Sequence, residues 1–235
     1  MNRLLVRALY FLLGLIGLIS LLCSVAAASV TNEAQITSGF QQYARTVELG
    51  VLPSRYGDYA KAITRYLDGR ADGVTVPDPE TGAETPAFSD KENAHLADVR
   101  RIVGALKWVR WIGGGGVLTA LAALYLTAKD KSRVLSCAVR GFALAALCLL
   151  LVATGLIIWG AVNFDGLFWT FHQVAFTNNM WLLNPRTDLL MALMPLSFFT
   201  WYAGEMLKSM LPILGVMALV IIAWPRIGKT QKEVP

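Results

Sequence analysis

Only two histidines, His95 and His172, and three cysteines, Cys23, Cys137 and Cys148, occur among 235 residues, and charged residues make up just 16%. Each shortage excludes something. The cysteines all fall in or beside apolar runs and build neither a disulfide framework nor a zinc-ligand spacing. Two histidines without a firm carboxylate partner make a poor metal site, so no metal and no cofactor is expected. There is no internal repeat and no low-complexity tail. With 55% apolar residues and a positive mean hydropathy, the chain lies outside the range of soluble domains and reads as a membrane protein.

Crossing the hydrocarbon as a helix takes about 20 apolar residues. Residues 8–30, 112–128, 142–162 and 206–224 reach or approach that length, which predicts an all-α membrane protein with four transmembrane helices. The implied order is helix 1 over 1–30, an extracytoplasmic cap over 31–102, helix 2 over 103–128 and a cytoplasmic loop over 129–140. Helix 3 over 141–162, an extracytoplasmic interfacial segment over 163–204, helix 4 over 205–225 and a cytoplasmic tail over 226–235 complete it.

Orientation follows the basic residues. With the N-terminus inside, Arg3, Arg7, Lys129, Lys131, Arg133, Arg140, Arg226, Lys229 and Lys232 are cytoplasmic against only Asp130 and Glu233, while the other 12 basic and 14 acidic residues lie outside or near outer helix ends. The net charge of +5 therefore reflects topology, and no nucleic-acid partner is expected. Ala26-Ala27-Ala28 after the first apolar run also fits a cleavage signal, but the run is long enough to be a retained span.

Polar chemistry concentrates in two outer segments. In the first, Tyr56, Tyr59, Ala60, Ile63, Tyr66 and Leu67 recur at helical spacing and stop near Asp68-Gly69. VTVPDPETGAETP then has the makings of a small hairpin or irregular loop. Ser89 to Glu92 forms a capping box that opens a helix bearing His95, Asp98, Val99 and Ile102. Asp98, three residues after His95, is placed to orient its imidazole. A straight helix would hold His95 far from the hydrocarbon, so the expectation is a bend, with Gly104 the natural hinge, or a membrane-embedded part that starts earlier, with Lys107 and Arg110 snorkelling or facing the substrate's head region. Gly113 to Gly116 reads as a thin surface for close helix packing.

The second outer segment is FHQVAFTNNMWLLNPRTDLLMALMPLSFFTWY, residues 171–202. Its apolar run 189–202 is short and contains Pro195, and a fifth span would put the basic tail outside. The segment is therefore expected to lie along the membrane interface as interfacial helices, with its aromatic rings at that depth. Arg186 and Asp188 read as a cap that pins it.

The stretch ENAHLADVR, the run Phe171-His172, Phe176, Trp181, Pro185, Thr187-Asp188, Pro195 and Phe199, and the four-span layout together resemble the bacterial lipoprotein intramolecular transacylases. The second motif is the specific one. The resemblance implies an acyltransferase that moves the sn-2 acyl chain of a diacylglyceryl-modified lipoprotein to the amino group of its own N-terminal cysteine, giving a lyso-form lipoprotein. It implies catalysis by His95 and His172, orienting or substrate-binding roles for Asp98, Phe171, Phe176, Asn179, Trp181 and Asp188, and work in the bacterial cell membrane on lipoproteins among membrane lipids. The family pattern commonly has an acid where this chain has Leu196, so no carboxylate role carries over there.

The chemistry fits two histidines and no nucleophile. An α-amino group with a pKa near 7.7 to 8.0 suits a base near 6.5, and a second imidazole can serve the oxyanion or the leaving oxygen. Orientation by Asp98 favours His95 as base and His172 as donor. A non-catalytic lipid- or lipoprotein-binding scaffold is the alternative. Haem ligation would need the histidines on spanning helices inside the bundle, and an aspartyl peptidase would need Asp165 and Asp188 to share a site.

Overall fold

The computed structural model describes residues 3–230; Lys232 and Glu233 of the expected tail lie outside the described residues. In chain order the helices are α1 (Arg3–Val30), α2 (Glu33–Tyr43), α3 (Tyr56–Asp68), α4 (Asp90–Trp108), α5 (Gly114–Thr127), α6 (Lys131–Val162), α7 (Phe164–Ala175), α8 (Leu189–Leu193) and α9 (Leu196–Thr230). A two-stranded antiparallel hairpin, β1 (Thr75–Pro77) and β2 (Glu84–Pro86), stands between α3 and α4 and pairs Val76 with Thr85. The chain divides into two compact units: Met1–Val25, Leu106–Trp159 and Ser209–Pro235 form one, Ala26–Ala105 and Gly160–Lys208 the other.

Four helices are long and apolar enough to cross a membrane, over Leu4–Val30, Asp90–Thr127, Lys131–Val162 and Leu196–Ile222. In the first unit Leu18, Ala145, Ala146 and Met217 are buried together, padded by Phe11, Leu15, Phe142 and Leu214. Much of the remaining apolar surface points outward: Leu118 is 71% and Leu126 74% exposed. An oily exterior on fully hydrogen-bonded helices is the arrangement lipid demands. Hydroxyls in the spans are satisfied internally, as where Ser24 donates to the Ser20 carbonyl and Thr154 to that of Leu150.

Close packing in this unit depends on Gly14 and Gly141 as well as on the start of the run singled out from sequence. A Cβ on Gly141 would sit 2.2 Å from the Tyr10 carbonyl oxygen, and one on Gly14 2.8 Å from the Phe142 Cα, so α1 and α6 meet backbone to backbone. Of the run 113–116, Gly113 faces α1, where its Cβ would fall 2.4 Å from the Ser20 Oγ, whereas Gly115 and Gly116 face open space. The helix carrying His95 also deforms elsewhere than expected. It passes through Gly104 unbroken and loosens at a π turn over Val109–Gly113. There the Ser20 hydroxyl donates to the Val109 carbonyl at 3.2 Å, a side chain from another helix meeting a carbonyl of the widened turn.

The second unit has its own apolar core. The Tyr56, Tyr59, Ala60, Ile63 and Leu67 face of α3 is buried, and the helix stops at Gly69, whose φ of 84° suits glycine. Phe40 of α2 packs its ring 6.1 Å from Tyr56 and 5.7 Å from Phe198. Glycine at 39 is required for that approach, since a Cβ would come within 2.4 Å of the Phe198 ring.

The same core corrects part of the interfacial reading. Leu190, Leu193 and Phe198 are buried in it with Phe40 and Ile63. The apolar side of residues 189–202 is thus enclosed by protein, because α3 and α2 offer it a packing face. The amphipathic helix with rings directed outward is instead α7, where Trp169 is 48% and Phe171 52% exposed. Pro195, which has no amide hydrogen to lose, precedes the first turn of α9, and its carbonyl accepts from the Phe198 amide at 2.9 Å. The last long helix accordingly begins at Leu196, before the apolar run that marked it in sequence.

Candidate active site

Glu92 fixes the floor on which the site is built. Its Oε2 accepts from the Ser89 amide at 2.8 Å and the Ser89 hydroxyl at 2.6 Å, the expected capping box. Its Oε1 accepts from the Leu190 amide at 2.6 Å, so the same carboxylate also caps α8. Asp188, expected to cap that helix, makes no side-chain cap bond to it; it closes the preceding turn by accepting from the Asn184 amide at 2.7 Å. A second tie runs from the Lys91 ammonium to the Leu182 carbonyl. Both bind the start of α4 to the aromatic segment.

At the start of α7 the Asn163 side chain accepts from the Gly166 amide at 2.9 Å. Two turns on, His172 comes to face His95 of α4 with ring centroids 6.0 Å apart. Phe176 touches both, at 5.0 Å from His95 and 5.4 Å from His172. Phe168 lies 4.2 Å from His172 with the rings tilted by 47°, and Trp181 is at 5.2 Å and Phe171 at 5.3 Å. Of the residues singled out in sequence, the structure therefore gathers His95, His172, Phe171, Phe176 and Trp181.

Hydrogen bonds distinguish the two imidazoles. His172 Nδ1 lies 2.8 Å from the Phe168 carbonyl one turn back. A carbonyl only accepts, so Nδ1 carries the proton and the neutral ring leaves a lone pair on Nε2. His95 Nδ1 is buried without a partner. The expected contact from Asp98 is absent, because the Asp98 oxygens are engaged elsewhere: Oδ1 accepts from Arg101 and Oδ2 from the Asn178 amide group at 2.7 Å. Arg101 sits at the same i,i+3 spacing from Asp98 and reaches it with a longer, charged side chain.

Burial lowers the His172 pKa below its usual 6.5, against the opposing pull of the Phe168 carbonyl. His95 stands in the first turns of α4, among Lys91, Glu92, Asp98, Arg100 and Arg101 and outside the apolar run. Burial, then the neighbouring His172, depress it to about 4 against the raising effect of Asp98. Both rings are thus neutral at physiological pH.

Sequence reasoning missed Asn178, and it placed Phe168 only among the interfacial aromatic rings. The Phe168 contact was foreseeable from its i−4 position to His172 on a helix. Asn178 was not, since only the turn after α7 decides which of two adjacent asparagines meets Asp98. Asn179, the one singled out, is exposed, and its carbonyl accepts from the Leu182 amide.

Apolar helices with a lipid-compatible exterior define a multi-pass membrane protein, and its candidate acid–base site is a neutral histidine pair among aromatic rings, His172 buried and His95 half-buried. A family model described as "Lipoprotein intramolecular transacylase Lit" matches residues 10–199. The chain belongs to that family. No curated protein matches it. Among solved structures, the membrane integral lipoprotein intramolecular transacylase Lit from Bacillus cereus is similar in fold, with TM-score 0.71 and 17% identity over 97% of this chain and 98% of that one. Two forms of that protein in which a histidine is replaced, by arginine and by alanine, give TM-scores of 0.60 and 0.61 at 18% identity, over 96% and 97% of this chain and 93% and 96% of theirs.

Proposed function

We infer that this acyltransferase moves the sn-2 acyl chain of a diacylglyceryl-modified lipoprotein to the amino group of the lipoprotein's own N-terminal cysteine. The observation that carries the reading is the pair of imidazoles 6.0 Å apart, both inside the stretch matched by the family. Amine and ester belong to one substrate molecule, so the pocket need only hold it folded back on itself. Well-oriented intramolecular reactions gain about 7–11 kcal/mol in this way.

The tautomer of His172 supports an assignment of roles opposite to the one expected from sequence. Its free Nε2 takes a proton from the attacking amine. The nitrogen bonds to the ester carbonyl carbon, and His95 donates a hydrogen bond to the oxyanion that forms. The carbon–oxygen bond to the glyceryl carbon breaks, and the glyceryl oxygen leaves with the proton held by His172. Starting from the neutral amine, an amide and an alcohol result, with no water consumed and no proton gained or lost. Phe168, Phe171, Phe176 and Trp181 shield the ester from hydrolysis. A binding scaffold would have no use for a free imidazole lone pair beside an unpartnered ring.

Mixing two lipoproteins with distinguishable acyl chains tests the reading. Mass spectrometry of the N-terminal peptides should find each N-acyl group on the molecule it came from. Scrambled chains, or an acyl group trapped on the enzyme, would overturn intramolecular transfer.

The split of basic residues supports cytoplasmic termini and an extracytoplasmic histidine pair. Thr81 and Thr177 are both exposed, so Thr81→Cys and Thr177→Cys should react with a membrane-impermeant thiol reagent in intact spheroplasts. Protection of both while Thr230→Cys reacts would invert the topology.

A further inference from the structure

We propose that the buried Asp98 carboxylate anchors the α-ammonium group of the lipoprotein's N-terminal cysteine, holding the incoming nucleophile beside the histidine pair. The proposal rests on the transacylase reading and adds to it the subsite that recognises the reacting end of the peptide.

A cavity of about 130 Å³ opens next to the histidines, lined by Asp98, Arg101 and Ile102 of α4 and by Phe176, Thr177 and Asn178 at and after the end of α7. Phe176 is its common wall with the catalytic pair, since the same ring lies 5.0 Å from His95. Asp98 is the one acid in the lining, and its side chain is 8% exposed. Asn178 holds Oδ2 at 2.7 Å through a neutral amide. Among the described residues the only cation paired with the carboxylate is Arg101, and the Arg101 side chain is 78% exposed.

That combination suits exchange. A buried carboxylate is costly without a cation, whereas an ion pair to a solvent-borne arginine contributes little and is readily given up. The substrate brings the replacement. At neutral pH its α-amino group arrives mostly as an ammonium, and moving that charge among aromatic rings and two neutral imidazoles requires a counter-charge. Asp98 supplies it, and the Asn178 and Thr177 side chains offer further polar contacts. The charged or titratable groups nearby are Arg101 and His95 on α4 and His172 on α7; the anchored ammonium gives up one proton to solvent before attack, and the step served by His172 begins from the neutral amine.

The test is the pH dependence of KM and kcat for purified full-length protein with a synthetic diacylglyceryl-cysteine peptide. For the parent, KM should be flat near pH 7 and rise about tenfold by pH 9, as the ammonium with a pKa of about 7.7–8.0 is lost. Asp98→Asn should raise KM about 10- to 100-fold at pH 7 and flatten its dependence on pH, which a purely structural role would not do. Arg101→Gln, at an exposed side chain, should lower KM by up to about fivefold because the competing cation is gone. A parallel pH profile for Asp98→Asn, a KM raised by Arg101→Gln, or Asn178→Ala reproducing the whole Asp98→Asn effect would overturn the proposal. Absence of lyso-form product with the parent would instead overturn the transacylase reading itself.

Discussion

His172→Ala and His95→Ala are each expected to reduce turnover by about 10²–10⁴-fold, the usual contribution of a positioned acid–base group. Lyso-form product should disappear from lipoprotein N-termini analysed by mass spectrometry. The two losses should not multiply, because one imidazole has no task once the other is removed. His172 also packs against Phe168, Phe176 and Trp181, so His172→Gln, closer in size, is the control for folding, with thermal unfolding near the parent's. Cys23→Ala and Cys137→Ala should retain activity, since no thiol enters the mechanism.

The assignment of base and donor gives this first experiment a pH signature. Because the His172 pKa is lowered, its Nε2 lone pair is present throughout the neutral range and is lost only as pH falls through a value below 6.5. At saturating substrate kcat should therefore be flat from about pH 7 to 9 and decline in acid. His95, depressed to about 4, stays neutral over the same range and serves as an N–H donor. A descending limb near pH 7 would mean that an imidazolium is the working acid, and the roles would have to be exchanged.

The second large effect is expected at Glu92, which is 3% exposed and outside the catalytic pair. Glu92→Ala removes the acceptor for the Leu190 amide and for both the amide and hydroxyl of Ser89. The buried Leu190 amide left without a partner costs about 1–3 kcal/mol and loss of the cap at the exposed Ser89 about 1 kcal/mol, so the destabilisation should be about 2–4 kcal/mol. Glu92→Gln keeps one acceptor oxygen and should lose less. Thermal unfolding followed by the reactivity of the native cysteines reads the difference. Activity should fall too, because Glu92 binds the start of α4 to the segment that carries Trp181. An unchanged unfolding temperature for Glu92→Ala would show that this carboxylate does not hold the unit together.

Legibility in the sequence followed the range of each interaction. The apolar runs, the α3 face from Tyr56 to Leu67, the Gly69 stop and the Ser89–Glu92 box are set by neighbours within a few residues, and these readings matched the structure. The helix widens after Trp108 and not at Gly104, at a turn where the Ser20 hydroxyl, remote in sequence, lies near the Val109 carbonyl. The glycine run was informative only at Gly113, which packs on α1. A glycine matters where another backbone approaches, which at Gly141 is Tyr10, and nothing in a local pattern announces that.

At the site, the sequence by itself determined that the chain lies in a membrane and which two side chains could exchange protons, because hydropathy and residue type are local properties and only two histidines exist. Tertiary structure decided the rest. The turn after α7 chose Asn178 over Asn179, and the reach of Arg101 and Asn178 took Asp98 away from His95. The Phe168 carbonyl then gave His172 its free lone pair. Hydrogen bonding fixes a tautomer, burial fixes a charge state, and both depend on atoms that only folding brings within about 3 Å.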